Sequence, residues 1–212
     1  MTQGAATFDS NTALTSLNDL DKGKKMLDKG VPAEANADGI IAWGRWTGGD
    51  SKINDASGNG KGKLATLHYF AFEATPTQPA VGTFISFAST APTIQSGGQL
   101  VATGSPNGAS GSFNSALLTA TGGSATYSLT VPLPSETFTL TGTATQTSQF
   151  GFSGVSLITS TGQSCASGCT GSLGSNVSVI GLIGGAQGNR AGITYGFDSR
   201  VGNVSGVIVF KH

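Results

Sequence analysis

The chain has 212 residues, and its 11 Lys+Arg balance its 11 Asp+Glu, so the formal net charge is zero. Charged residues make up only 10% of the chain, where soluble domains average about 25%. Without net positive charge or a basic cluster, the chain lacks the electrostatic surface that nucleic-acid binding requires. With 37% hydrophobic residues it is also too apolar for a disordered chain.

The N-terminus, starting at Met1, has neither a basic start nor an apolar stretch, so the sequence predicts no signal peptide within this chain. The longest mostly apolar run, residues 177–186, is far shorter than the roughly 20 residues of a membrane-spanning helix. We therefore expect no membrane span.

The charges are unevenly distributed, since residues 1–73 carry 17 of the 22 charged residues. This asymmetry and the changes in pattern predict three parts. They are a charged helical segment at 1–37, a strand-loop-strand lead-in at 38–80, and a Gly/Ser/Thr-rich barrel at 81–212.

The first segment carries features typical of a helix. Asp9, Ser10 and Asn11 could cap it, and leucines at 14, 17 and 20 are followed by Met26 and Leu27. A glycine at 23 weakens a continuous helix, so the pattern predicts either one helix or two short ones before Gly30. Residues 40–46 and 64–72 are then predicted to be two strands joined by a polar loop.

From residue 81 onward apolar and polar residues alternate. Phe138, Leu140 and Ala144, for example, alternate with a row of threonines. Eight or nine such strands, separated by turn sequences without helices, predict an all-β, closed antiparallel up-and-down barrel of about eight strands. Closure is favoured because the strands hold almost no Lys, Glu or Pro to protect an exposed edge.

An outer-membrane barrel is the alternative. It would face lipid with its apolar row and line its lumen with polar and charged groups between aromatic girdles. Here the polar rows are almost uncharged, and Trp and Tyr total only five residues. The pattern therefore favours an apolar interior and a Ser/Thr exterior.

Both cysteines, Cys165 and Cys169, lie in one Ser/Gly-rich loop. A metal site would need two more soft ligands, and the chain has only His68 and His212 to offer. The spacing fits a small disulfide-closed loop of an exported protein, and two free thiols are the alternative.

Several blocks carry a family resemblance: WGRWTGG at 43–49, LHY at 67–69, the loop with Cys165 and Cys169, GLIG at 181–184, NRAGITY at 189–195 and VSGVIVF at 204–210. Over residues 38–212 the chain resembles the C-terminal region of proteobacterial FecR-domain-containing proteins. That region is similar to the barrels of transferrin-binding-protein-like surface lipoproteins. The resemblance implies a periplasmic or surface-exposed barrel of a Gram-negative envelope and an association with iron or haem acquisition.

Five residues are candidates for contacting a ligand. Trp43, Arg45 and Trp46 could form a binding platform, because tryptophan faces stack on guanidinium groups. His68 and Tyr69 could ligate haem or iron, although neighbouring strand residues point to opposite faces. A structural role is the alternative for all five.

The sequence offers little for catalysis. It has no Gly-x-Ser-x-Gly motif, and only Glu136 and Asp198 supply carboxylates after residue 73. The lack of such motifs predicts a non-enzymatic protein, and together with the family resemblance we expect an envelope barrel without a resident metal or cofactor, which binds a protein or small ligand. A purely structural or secretion-related barrel is the alternative.

Overall fold

The computed structural model describes residues 4–11, 13–19, 25–28, 30–51, 62–63, 65–78, 80–118, 122–134, 136–148, 150–162, 169–170, 178–199 and 202–212. All regular elements in these ranges are β-strands, and all strand pairs are antiparallel. In chain order the strands are β1 (Gly4–Phe8), β2 (Leu14–Asp19), β3 (Lys25–Asp28), β4 (Val31–Ala37), β5 (Ile41–Thr47), β6 (Asp50–Ser51), β7 (Gly62–Lys63), β8 (Thr66–Phe72), β9 (Thr83–Ser89), β10 (Thr93–Ser96), β11 (Gln99–Thr103), β12 (Ser110–Leu117), β13 (Ser124–Pro132), β14 (Glu136–Gln146), β15 (Gly151–Gly162), β16 (Cys169–Thr170), β17 (Ser178–Gly184), β18 (Arg190–Ser199) and β19 (Gly202–Lys211).

The predicted N-terminal helix is wrong, because this segment forms strands. β1, β2, β3, β6 and β7 make a five-stranded sheet, and β4, β5 and β8 make a separate three-stranded sheet. Asp9, predicted to cap a helix, instead turns the chain between β1 and β2: its Oδ1 accepts the N–H groups of Asn11 at 2.8 Å and of Ala13 at 2.9 Å. An Asp side chain can satisfy the first N–H groups of a helix or those of a turn, so the residue alone does not decide between them.

The predicted closed barrel of eight antiparallel strands is confirmed. The strands run β9, β12, β13, β14, β15, β17, β18 and β19, and β19 pairs back onto β9 to close the ring. β11 lies outside this ring, in a hairpin with β10 that extends the sheet beside the start of β19.

Apolar side chains fill the barrel interior. On β14, Phe138, Leu140 and Ala144 are buried inside, while the threonines between them form the outer wall. The largest fully buried interior side chains are Phe84, Phe113, Phe138, Phe152, Phe197 and Phe210. Burial of each such ring contributes roughly 1.5–3 kcal/mol to folding, so the interior serves as the hydrophobic core of the barrel.

The three-stranded sheet packs with one face against the outside of the barrel. Ile41 and Trp43 of β5 lie against Val207 and Val209, which point outward from β19. Next to them the Phe70 ring lies on Gly192 of β18, where an added Cβ would come within 2.5 Å of the ring. A glycine at this position therefore permits the close approach of the sheet to the wall.

The described residues do not test two of the predictions. Cys165 is outside the described residues, so the predicted disulfide with Cys169 stays a prediction. The division of the chain at residues 37 and 80 also stays a prediction. In the described ranges no helix is long and apolar enough to cross a membrane.

Candidate functional site

The five candidate residues all lie on β5 and β8, and strand alternation divides them between two faces. Arg45 pairs with His68 across the two strands, and both face the barrel together with Trp43. Trp46 and Tyr69 face away from it and pack against Leu14. Both tryptophans are buried, so neither forms an open stacking platform.

On the barrel side, Glu34 of β4 and Arg45 form a buried ion pair. Glu34 Oε1 lies 2.7 Å from Arg45 Nε, and the two side chains are only 11% and 10% exposed. The other oxygen of the carboxylate, Oε2, accepts the N–H of Ala91 at 3.0 Å. Because Ala91 lies in the connection between β9 and β10, one carboxylate joins the sheet to a corner of the barrel.

His68 binds the same connection between β9 and β10 through two hydrogen bonds. Its Nδ1 lies 2.8 Å from Thr90 Oγ1 and its Nε2 lies 2.8 Å from Thr93 Oγ1. In a neutral ring one nitrogen donates and the other accepts, so the two hydroxyl groups satisfy both. Burial, helped by the nearby charge of Arg45, lowers the pKa of His68 to about 3. The ring is therefore neutral at physiological pH.

His68 and Tyr69 do not fit a haem or iron site. Both nitrogens of His68 are engaged by threonines, and Tyr69 points to the opposite face of the sheet. The Tyr69 hydroxyl accepts the N–H of Leu14 at 3.1 Å, and burial raises the pKa of Tyr69, which opposes formation of the phenolate ligand. No cluster of three His, Cys, Asp or Glu side chains suited to a metal is found among the residues described.

The end of the same sheet forms a pocket that is open to solvent. A pocket of about 250 Å³, here called the outer pocket, lies at the end of β5 and β8 on the face turned away from the barrel. Its walls are mainly apolar and are formed by Phe8, Ala37, Gly39, Ile40, Ile41, Ala42, Ala71, Phe72 and Glu73. Sequence reasoning missed this site.

A second pocket of about 300 Å³, the inner pocket, lies between the end of β8 and the barrel. It is formed by Phe72, Glu73, Ala74, Thr75, Ser148, Phe150, Leu182, Ile183 and Gly184. Phe72 and Glu73 line both pockets, so the two open on opposite faces of the sheet at a shared rim.

Glu73 gives this rim its charge. Its N–H donates to the carbonyl of Ile40 at 2.9 Å, which fixes the backbone, while its side chain is exposed. Within the described part of the chain its carboxylate has no hydrogen bond or ion pair. The neighbouring acid, Asp38, is already paired with Arg190 at 2.6 Å. In the described structure the Glu73 carboxylate is thus the one at this rim that can pair with a cationic group of a partner.

The side chains of Asp38 and Arg190 form a second ion pair that links the three-stranded sheet to the barrel. Burial alone would raise the pKa of Asp38, but hydrogen bonds from Arg190 and from the N–H groups of Ile41 and Ile40, with the charge of Arg190, lower it. The three-stranded sheet is therefore linked to the barrel at two places, by this pair near the rim and by the contacts of Glu34 and His68 at its other end.

No protein-family model and no curated protein matches the chain. The resemblance to FecR-domain-containing proteins therefore stays an expectation. Among solved structures, intact Ap-TbpB with its N and C lobes is similar at 15% identity and a TM-score of 0.44, over 96% of this chain and 42% of that one.

Two further structures of transferrin binding protein B give similar values. A mutant form of the vaccine antigen from Actinobacillus pleuropneumoniae H49 matches at 10% identity and a TM-score of 0.45, over 100% of this chain and 97% of that one. The isotype 1 protein from serogroup B Neisseria meningitidis matches at 15% identity and a TM-score of 0.42, over 97% of this chain and 40% of that one. The present chain thus spans less than half the length of two of these proteins.

Proposed function

We propose that this chain is a non-enzymatic binding domain of the bacterial cell envelope, periplasmic or on the cell surface, that recognises a protein partner at the rim formed by Phe72 and Glu73. The observation that carries this proposal is the pair of pockets that share this rim. Concave, mainly apolar surface with a few polar groups is typical of binding sites.

The packing of the barrel supports recognition on the outside. Its interior is occupied by phenylalanine rings, and its outer wall on β13 and β14 presents a uniform row of Ser and Thr side chains. The end of the three-stranded sheet, in contrast, offers an outer pocket with mainly apolar walls and an inner pocket with both apolar and polar walls. A partner would gain more from burying that surface than from covering hydroxyl groups already solvated by water.

The rigidity of the rim supports the same conclusion. β8 leads directly to Phe72 and Glu73, and His68 on that strand is hydrogen-bonded to both sides of the β9–β10 corner. A site held in its binding conformation before the partner arrives loses less conformational entropy on binding. In this proposal a link to iron acts through the bound protein, and the engagement of both His68 nitrogens by Thr90 and Thr93 supports it.

Site-specific photo-crosslinking tests this proposal. A benzophenone amino acid would replace Ala42 in the outer pocket, and in a control protein it would replace Thr141 on the exposed barrel wall. Both would be illuminated in envelope extract, in host serum and with purified transferrin, the protein in the names of the structural neighbours. We expect an adduct of defined mass from position 42 that excess unlabelled protein competes away.

The control position makes the outcome decisive. Equal labelling from position 141 would place binding on the barrel wall and contradict the proposed site. An absence of competed adducts from both positions in all three mixtures would favour the alternative function, a structural or secretion-related barrel.

A further inference from the structure

The edge of β8 that faces away from β5 indicates how a partner could bind at the proposed site. β8 pairs with β5 along all seven of its residues, from Thr66 to Phe72, without a bulge. On its other side no strand pairs with it among the residues described. In the described part of the chain, alternate N–H and C=O groups on that side thus have no strand partner, which is the arrangement that a further strand can pair with.

β8 also lacks the features that normally protect an edge strand. It contains no Lys, Glu or Pro, and the side chains of Leu67, Phe70, Ala71 and Phe72 are only partly buried. The opposite edge of the sheet differs, because β4 carries Pro32, Glu34 and an irregular register between them. Of the two edges of this sheet, only β8 is suited to pairing.

The positions of the two pockets fit an added strand. Ala71 lines the outer pocket and Phe72, the next residue, separates it from the inner pocket on the opposite face. Consecutive side chains of a strand also point to opposite faces of a sheet. The outer pocket extends from Ala71 across Ala42 to the hairpin between β4 and β5. A strand laid along β8 would therefore need a long side chain that crosses Ala71 to enter the outer pocket, while its neighbour would point toward the inner pocket.

From this geometry we propose that the protein partner binds as an extended segment that adds a fourth strand to the sheet at β8. This inference rests on the proposed function and specifies its ligand. The segment carries two consecutive apolar side chains, one for each pocket, and a Lys or Arg close to them that pairs with Glu73. Backbone hydrogen bonds supply affinity in this mode, and the pockets supply specificity.

Selection of displayed random peptides on the wild-type protein tests this inference. Two variants with a filled pocket serve for counter-selection: Ala42→Trp for the outer pocket and Thr75→Trp for the inner one. Thr141→Trp, on the barrel wall, is the matched control. We expect enriched peptides with two adjacent apolar residues and a nearby basic residue, whose affinity falls at least about ten-fold in each filled variant and not in the control.

Backbone methylation of a selected peptide separates strand addition from simple pocket binding. Methylation at alternate residues should weaken binding about ten-fold because each removes a hydrogen bond to β8, and methylation at the residues between them should have little effect. Glu73→Gln should weaken binding of the basic peptide and reduce its dependence on salt.

The outcomes distinguish the two levels of the proposal. Loss of binding in both filled variants without an alternating methylation pattern would overturn strand addition and leave the proposed site standing. Peptides that bind Glu73→Gln as tightly as the wild type would overturn the assignment of the cation. If no peptide distinguishes the wild type from the filled variants, the proposed site itself is wrong. Enrichment of the chain's own β8 sequence would overturn a foreign partner in favour of a second copy.

Discussion

Glu34 and Arg45 lie opposite each other on β4 and β5, with 2.7 Å between Oε1 and Nε, and the same carboxylate holds the N–H of Ala91 in the barrel corner. A buried pair of charges is not by itself strongly stabilising, but removing one partner leaves the other uncompensated. This carboxylate thus acts both as the counter-ion of Arg45 and as a link between sheet and barrel.

Glu34→Ala should lower the free energy of unfolding by about 3–5 kcal/mol, because Arg45 would remain buried without a counter-ion. Glu73→Gln, an exposed side chain without an ion pair in the described structure, should stay within about 0.5 kcal/mol of the wild type. Urea denaturation of both variants measures the difference. Equal stability of the two would show that Arg45 reaches water and that the pair does not hold the corner.

Stability should fall as the solution is acidified below the pKa of an unfolded histidine. The pKa of His68 is about 3 in the folded chain and 6.5 in its ordinary state, so the unfolded chain binds the proton first. Stability is complete above pH 6.5 and is lost toward pH 3, by at most about 1.4 kcal/mol per pH unit. Thermal unfolding of the wild type and of His68→Asn should show this slope only in the wild type.

Asp38 adds a separate contribution at lower pH. Its folded pKa is lowered from 3.8, so the stability it contributes is present above that pH and is lost as the pH falls through the folded value. Asp38→Asn should therefore change the unfolding profile below pH 3.8 and leave the slope between pH 6.5 and pH 4 unchanged. A loss of the upper slope in Asp38→Asn would contradict the assignment of that slope to His68.

Two outward-facing glycines of β18 should respond in opposite directions to the same substitution. At Gly192 a Cβ would come within 2.5 Å of the Phe70 ring, whereas at Gly196 the nearest atom, the carbonyl oxygen of Val204, is 3.9 Å away. Gly192→Ala should cost about 1–3 kcal/mol through overpacking, and Gly196→Ala should stabilise by about 0.5–1 kcal/mol. Chemical denaturation compares them, and the same effect at both positions would refute the close contact of sheet and wall.

Two buried tyrosine hydroxyls should also differ. In the described structure Tyr195 OH has no hydrogen-bond partner, and burial raises the pKa of Tyr195, so the group stays protonated. Tyr195→Phe should leave stability unchanged or raise it by about 1 kcal/mol. Tyr69→Phe removes the acceptor of the Leu14 N–H and should lower stability by about 1 kcal/mol. Destabilisation by Tyr195→Phe would instead reveal a buried water bound to its hydroxyl.

The barrel could be predicted because its information is local. Alternation of Phe138, Leu140 and Ala144 with threonines fixes the faces of a strand without reference to the rest of the chain. The first strands, β1 to β3, could not be predicted in this way, because the leucines at 14 and 17 follow a helical spacing. Leu14 is in fact held by tertiary contacts with Trp46 and Tyr69, and such contacts override local preference.

The candidate site shows a similar division. Alternation correctly indicates that His68 and Tyr69 lie on opposite faces, but it does not tell which face meets the barrel. The rim was missed because its pockets arise where the sheet ends near the barrel, a feature of tertiary structure alone. One sequence feature could have indicated it: Glu73 is the last charged residue before an uncharged stretch that continues to Glu136.

Hydrogen exchange tests the central claim most directly, that partners bind at the end and edge of β8. The exchange of backbone amides would be compared between the free protein and its complex with the crosslinked partner or a selected peptide. We predict new protection in alternate amides of Thr66–Phe72 and in residues 73–75, with none in β13 or β14. Protection confined to the barrel strands or their turns, with β8 unchanged, would contradict the claim.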